Sequence, residues 1–338
     1  FADLTLSQDL SSLLKGLGAN FRLAYDNYSS IWEDHSKLYA YKGYSSTWQE
    51  NGPFYSTITG GETGEMGTGA STNDWARQFN FAGSFDYNRS FERFDVYSQL
   101  KWDYEYRDYY GLNTTVYRQN VSWYSHIGFD KRYFLDLALV GSGSSLLAPG
   151  HKWALSPTIS AAWVLSEENF LKNLSWVDFL KLRASFGVIN ADYLPKNGSE
   201  TIYNYWDQIY TTTGTQYRFN SSYDSDFGST LIGRLATMNS THEKAFKYNV
   251  GLDATLFNNL NLTVDGYYQR RKDIWVSSEG KYTEVLGMDA PYENAGIVDS
   301  WGIEAGLDYT KKLGQVIFNI GGNFTWNRNK IKEQLEEP

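Results

Sequence analysis

The chain has 338 residues, of which 39 are acidic and 30 basic for a formal charge of −9, and it contains no cysteine. Disulfide scaffolds and thiolate metal sites are therefore excluded, and an acidic balance without any basic run argues against nucleic acid as a partner. No stretch reaches the roughly 18 consecutive apolar residues of a membrane helix, yet 17% of the residues are aromatic, too many rings for a disordered chain.

In chain order, the dominant pattern is alternation with period two. Leu17, Ala19, Phe21, Leu23 and Tyr25 alternate with Gly18, Asn20, Arg22, Ala24 and Asp26. The cleanest run sets Phe94, Val96, Leu100, Trp102, Tyr104 and Tyr106 against Arg93, Asp95, Gln99, Lys101, Asp103, Glu105 and Arg107. Further on, Leu260, Leu262 and Val264 alternate with Asn261, Thr263 and Asp265, and Trp301, Ile303 and Leu307 with Gly302, Glu304 and Asp308. Val316, Phe318 and Ile320 close the series against Ile317 and Asn319. Such strands have one greasy and one charged face. They also have the length, about 9–11 residues, of a tilted strand crossing a bilayer, whereas strands of soluble sandwiches average about five or six.

The connections alternate in length, as a membrane barrel requires. Tight turns are expected at Asn88–Ser90, Gly128–Arg132, Phe257–Asn259 and Lys311–Gln315, with short helical links at Asp9–Gly16 and Ser166–Asp178. Between them lie long connections at Asn27–Asp74, Asp108–Thr115, Ser142–Lys152, Asn190–Lys244 and Asp273–Ser300. This parity gives about twelve membrane strands, with extra hairpins inside the two longest loops. Rings collect at strand ends, among them Trp102, Tyr104, Tyr106, Trp153, Trp163 and Trp326, where a headgroup layer favours an aromatic body with a polar handle.

Catalytic signatures are absent: there is no nucleophile elbow, Walker loop, zincin motif or dinucleotide fingerprint. Asp103 and Glu105 share a strand face at roughly the spacing of paired glycosidase carboxylates, but they belong to a face that also carries Arg93, Asp95 and Lys101. A wet, ion-paired lumen explains that face better than catalysis does. Asp224-Ser225-Asp226 could offer oxygens to calcium but lacks the rest of a calcium loop and reads as a turn. No catalytic residue, metal site or cofactor is assigned. Candidates for lumen lining are Arg93, Asp95, Lys101, Asp103, Glu105, Asp253, Asp265 and Glu304. The loop rings Tyr203, Tyr205, Trp206, Tyr210, Tyr217 and Tyr223 can either grip a substrate or pack the loops together.

The segment from His151-Lys152-Trp153-Ala154-Leu155-Ser156-Pro157, through Ser166-Glu167-Glu168-Asn169-Phe170-Leu171, to Leu182-Arg183-Ala184-Ser185-Phe186-Gly187 resembles the SusC/RagA family of TonB-dependent outer-membrane transporters. Asn249-Val250-Gly251-Leu252-Asp253 with Leu256-Phe257-Asn258-Asn259, Asn294-Ala295-Gly296 with Gly302-Ile303-Glu304, and Asn323-Phe324-Thr325-Trp326-Asn327 agree in order. Val140-Gly141-Ser142-Gly143-Ser144-Ser145 departs from the charged stretch many members carry there.

The resemblance implies an all-β, antiparallel transmembrane β-barrel of the 22-stranded class, multi-pass in the bacterial outer membrane. About twelve strands cannot close such a barrel, so residues 1–338 are expected to be part of one barrel domain, with the plug and other strands outside them. It further implies import of large nutrients, glycans or peptides, energised by TonB and lidded by a SusD-like surface lipoprotein, with no covalent chemistry. The alternatives are a passive porin or adhesin-type barrel, which shares every periodicity, and a soluble carbohydrate-binding β protein with aromatic clefts.

Overall fold

A computed structural model describes the chain except for residues 112–114, 199, 218–226, 283–286 and 336–338. The N-terminal strands are β1 (Ala2–Asp9), β2 (Leu17–Ser36), β3 (Tyr41–Gln49), β4 (Gly52–Gly60), β5 (Gly67–Ser90) and β6 (Phe94–Tyr109). Then follow β7 (Val116–Phe129), β8 (Tyr133–Ser144), β9 (Trp153–Val164), β10 (Val177–Ala191), β11 (Lys196–Asn197) and β12 (Glu200–Thr201). The last are β13 (Tyr210–Tyr217), β14 (Phe227–Ile232), β15 (Glu243–Leu256), β16 (Leu260–Ser277), β17 (Tyr292–Leu313) and β18 (Val316–Glu333). Among the described residues twelve strands form one sheet in the order β1-β2-β5-β6-β7-β8-β9-β10-β15-β16-β17-β18, antiparallel throughout. The remaining strands pair as three separate hairpins, β3–β4, β11–β12 and β13–β14, and lie inside the two longest connections as expected.

Register keeps the two faces distinct from strand to strand. Trp102 of β6 stands opposite Gly83 of β5 and Val121 of β7, while Asp103 stands opposite Ala82 and Asn120. A slip of one residue would exchange the faces, so the alternation itself pins the pairing. On the apolar face Leu100 is 52% exposed and Phe324 60%. Continuous rows of such side chains are costly in water, at about 25 cal/mol per Å², and at ease against hydrocarbon. The rings gather in two bands on that face. At the tight-turn end Phe94–Phe129, Phe129–Tyr133 and Tyr133–Trp163 lie 4.7, 6.2 and 6.3 Å apart, and at the other end Tyr106–Tyr117 and Tyr248–Tyr268 lie 5.4 and 6.1 Å apart.

The turns differ from expectation in detail. Residues 10–16 and the stretch after β9 are runs of turns rather than helices, with one 3-10 turn at Leu165–Glu167. So few residues cannot offset the cost of helix nucleation, and Gly16, at φ +90, turns the chain where a Cβ would fall 2.1 Å from the Asn88 carbonyl oxygen. Several strands also outrun their predicted ends: β2 and β5 pair from Asn27↔Arg77 out to Ser36↔Gly67, beyond the segment with clean alternation. The turn expected at Asn88–Ser90 falls at 91–93, where the Phe91 N–H donates to the Phe94 carbonyl at 2.7 Å.

The buried hydrophobic cluster is centred in the long connections and packs against Trp275 at the end of β16. Leu147, Ala148 and Tyr205 form its centre, with Leu194, Ile202, Trp206 and Trp275 packed around them.

Candidate functional site

The polar face is wired by ion pairs and hydrogen bonds between strands. Arg183 on β10 donates to both oxygens of Asp253, at 3.0 and 3.2 Å, and of Asp265, at 2.7 and 2.6 Å. Asp86 on β5 accepts from Asn20 (2.5 Å), Ser84 (2.8 Å), Gln99 (2.5 Å) and Tyr97 (3.1 Å). Asp136 on β8 lies 2.5 Å from His126 and accepts from Tyr124 at 3.0 Å and Ser160 at 2.9 Å. Multiply bonded carboxylates of this kind are fixed in place and hold a charged surface in one shape.

Most of the predicted lining residues fall on this face. Asp103 accepts from Asn120 at 2.8 Å and sits 3.2 Å from Lys101. Glu105 is held by Arg107 (2.6 Å), Gln78 (3.1 Å) and Arg118 (3.2 Å). Asp95, at the first turn of the register, and Glu304, opposite Asp265, lie on the same face and are exposed. Arg93 departs from its expected place. It sits in the turn before β6 and is anchored to Asp130, its Nε donating at 2.7 Å; that contact holds the Asp130 carboxyl below its usual range. The later start of β6 removes Arg93 from the strand face.

Above the polar face, at the end with the long connections, Arg118 Nε donates to Asp192 at 2.6 Å and Ser144 donates to the same carboxylate at 2.5 Å. Burial opposes the Asp192 charge, but Arg118 and Ser144 outweigh it and keep the carboxyl below its ordinary range. A cavity of about 580 Å³ opens here, lined by Arg107, Arg118, Asp192, Lys196, Tyr203, Glu243 and Trp275. Glu243 is 7% exposed and accepts from Arg271 at 2.6 Å.

The loop rings divide. Tyr203 lines the cavity and Tyr210 is 63% exposed. Tyr205, predicted as a contact ring, is instead completely buried: its hydroxyl meets Ser240 at 2.8 Å and accepts the Ala148 N–H at 3.3 Å. Its ring packs edge-on to Trp206 and Trp275, at 5.0 and 4.7 Å. It therefore fastens two connections to one another and to β16, and presents no surface to a ligand. The Tyr217 side chain, Tyr223 and the Asp224–Asp226 turn lie outside the described residues.

Sequence reasoning did not single out Arg118, Asp192 or Arg183 as site residues. For Arg183 the signal was present, since Lys181, Arg183 and Ser185 alternate with Leu180, Leu182 and Ala184. Asp192 follows a strand end, and nothing local in its sequence announces the contact with Arg118.

An apolar ringed face, a charged opposite face and strictly alternating turns define a transmembrane β-barrel sheet, similar to those of TonB-dependent outer-membrane transporters. No family model matches the sequence. The chain is 25% identical over 285 residues to TonB-dependent receptor P39 of Formosa agariphila, covering 77% of this chain and 26% of that protein. It is 26% identical over 249 residues to TonB-dependent receptor SusC of Bacteroides thetaiotaomicron, covering 70% and 23%. The RagAB peptide transporter structure superposes with a TM-score of 0.67 at 16% identity, over 96% of this chain and 36% of that one. The outer membrane transporter YddB from Escherichia coli gives 0.54 at 12% identity, over 97% and 42%. The chain is a transmembrane β-barrel sheet similar to TonB-dependent receptors of the SusC type, and it spans about a quarter of the length of the curated relatives it matches. These relatives are receptors and transporters rather than enzymes.

Proposed function

We propose that the chain serves TonB-dependent uptake of large polar nutrients, glycans or peptides, across the outer membrane, as part of one barrel domain. The observation that carries this reading is the ion-paired polar face, whose networks from Asp86 to Arg183 stay on one side of the sheet while the apolar rows stay on the other. A water-filled passage lined in this way lets hydroxyls and amides pass without losing their hydrogen bonds. Asp95, Lys101, Asp103, Glu105, Asp253, Asp265 and Glu304 are its lining, and Tyr203 and Tyr210 are the rings offered to a ligand at the mouth. A SusD-like lipoprotein acts as lid over the long connections, and TonB supplies the energy through a region outside these residues. Support for both partners comes from the similarity to SusC and to the RagAB assembly.

The test is uptake of fluorescent malto-oligosaccharides and of a fluorescent peptide mixture by cells carrying or lacking the full-length protein. Loss of either uptake on deletion, and again on collapse of the proton gradient, is the expected result. Uptake that survives the uncoupler would point to a passive pore, and unchanged uptake of both would overturn the reading.

A further inference from the structure

The apolar face of β15–β18 ends abruptly at the end with the long connections. Leu260, Leu262, Val264 and Tyr268 give way to Arg270 on β16, and Phe318, Ile320, Phe324 and Trp326 give way to Arg328 on β18. The last rings of the band, Tyr248, Tyr268 and Trp301, lie in one row across β15, β16 and β17. Immediately beyond this row Arg270 and Lys332 meet a single carboxylate, with further cations around it.

Asp299 on β17 is 4% exposed, and Arg270 donates to both of its oxygens at 2.7 Å. Lys332 Nζ lies 3.9 Å from the same carboxylate, Lys330 stands directly opposite it in register, and Arg328 stands opposite Trp301. Lys272 holds its ammonium 5.7 Å over the ring of Phe246, which belongs to the same outward row. Asp273 is taken by Lys244 at 2.8 Å, and Glu333 sits at the margin opposite Ile297. Arg270 and Lys332 thus share one carboxylate, and the patch keeps a positive surplus on a chain whose overall charge is −9.

Depth and charge together identify the ligand. A row of Tyr and Trp marks the level of the headgroups, and cations held just beyond it attract anionic headgroups. Alternate residues lie about 7 Å apart along a strand, so Arg328 and Lys330 on β18 present two cations at the spacing of one phosphate group, beside Arg270, whose guanidinium is held by Asp299. Guanidinium and ammonium groups at that spacing are phosphate ligands. We propose that the outward face of β16–β18 binds the phosphorylated headgroup of a lipid in the adjacent leaflet. The site is independent of what passes through the barrel.

The experiment uses the full-length protein, delipidated in a neutral detergent and titrated by native mass spectrometry with phosphatidylglycerol, phosphatidylcholine and inorganic phosphate. Wild type is expected to retain phosphatidylglycerol in preference to phosphatidylcholine. The exposed pair Arg328→Gln with Lys330→Gln is expected to weaken phosphatidylglycerol retention by about fivefold for each cation removed. Lys311→Gln with Lys312→Gln, an equal charge change near the opposite end of β17, is expected to leave retention unchanged, and heat-modifiable electrophoretic mobility confirms that both variants fold. Equal retention by wild type and the Arg328/Lys330 variant would overturn the proposal, as would equal weakening by the two pairs. Displacement of the lipid by millimolar inorganic phosphate would show a free-anion site instead.

Discussion

Arg183 reaches Asp265 across a residue that has no side chain. The two stand on β10 and β16, with β15 between them, and the register row runs Arg183, Gly251, Asp265. A Cβ on Gly251 would fall 2.5 Å from Arg183 Cζ and 2.7 Å from Asp265 Oδ1. The glycine is therefore the floor over which the guanidinium extends to grip carboxylates on two strands.

Removing either part of that arrangement should cost about the same. Arg183→Ala leaves Asp253 and Asp265 without their shared cation, and Gly251→Ala displaces the guanidinium from between them. Each is expected to lower stability by about 2 kcal/mol, the scale of hydrogen bonds to charged groups, in urea unfolding of the micelle-bound protein followed by tryptophan fluorescence. The double variant should be scarcely worse than either single one, since both break one network. Additive losses would show that Gly251 acts elsewhere.

Neighbouring residues on β16 report which face meets lipid. Leu262→Arg is expected to destabilise by about 2–4 kcal/mol, as for a charge placed at the middle of a bilayer, whereas Asn261→Arg on the polar face should stay within about 0.5 kcal/mol of wild type. Refolding yield into lipid vesicles measures both. A reversed order would exchange the faces.

Tyr205 is the fastening of the loop cap, so its loss should be felt there and not in the sheet. Tyr205→Phe removes the bond to Ser240 and the acceptor of the Ala148 N–H, a loss of about 1 kcal/mol. Tyr205→Ala leaves a cavity among Leu147, Trp206 and Trp275 and should cost about 3–5 kcal/mol. Faster hydrogen exchange at residues 145–152 and 234–242, with unchanged protection in β7 to β10, is the expected pattern.

His242 gives the cap a dependence on pH. The ring is 3% exposed, its Nε2 lies 3.3 Å from the Lys152 carbonyl, and its Nδ1 has no hydrogen-bond partner among the described residues. Burial holds its pKa below the ordinary value, with Asp192 opposing and Lys244 reinforcing the shift. In the unfolded chain the ring takes up its proton near about pH 6.5, and in the fold only at lower pH. The unfolded state therefore binds more protons in that window, so stability is complete above about pH 6.5 and falls as the pH drops below it. Exchange of amides 234–242 should accelerate between about pH 7 and 5 in wild type, and His242→Asn should flatten that dependence.

The strands were legible wherever one face is wet and the other greasy. Alternation from Phe94 to Tyr106 and from Leu260 to Tyr268 reads directly into β6 and β16, because each side chain's solvent is fixed by its parity. Beyond the bilayer that rule lapses. Residues 27–36 of β2 are largely exposed on both faces, so nothing in their pattern marked them as strand. Loop packing was equally hidden: Tyr205 is buried only because residues 146–148, 237–240 and Trp275 converge on it, and convergence of distant segments leaves no local trace. Arg93 was misplaced by a shift of the preceding turn, the kind of boundary that propensity fixes least well.

Sheet order follows chain order once the inserted hairpins are set aside, and this bears on how such a sheet comes into being. Each new strand finds its partner already made by the segment before it, often across a connection such as Asp130–Arg132 or Phe257–Asn259 whose central residues adopt left-handed backbone angles suited to hairpins. Such hairpins close within about microseconds, and the loop-closure entropy is divided into many small instalments rather than one large one. Growth of the sheet is therefore sequential by construction, each strand templating the next, and the connection between β10 and β15 is the widest gap that the growing edge must bridge.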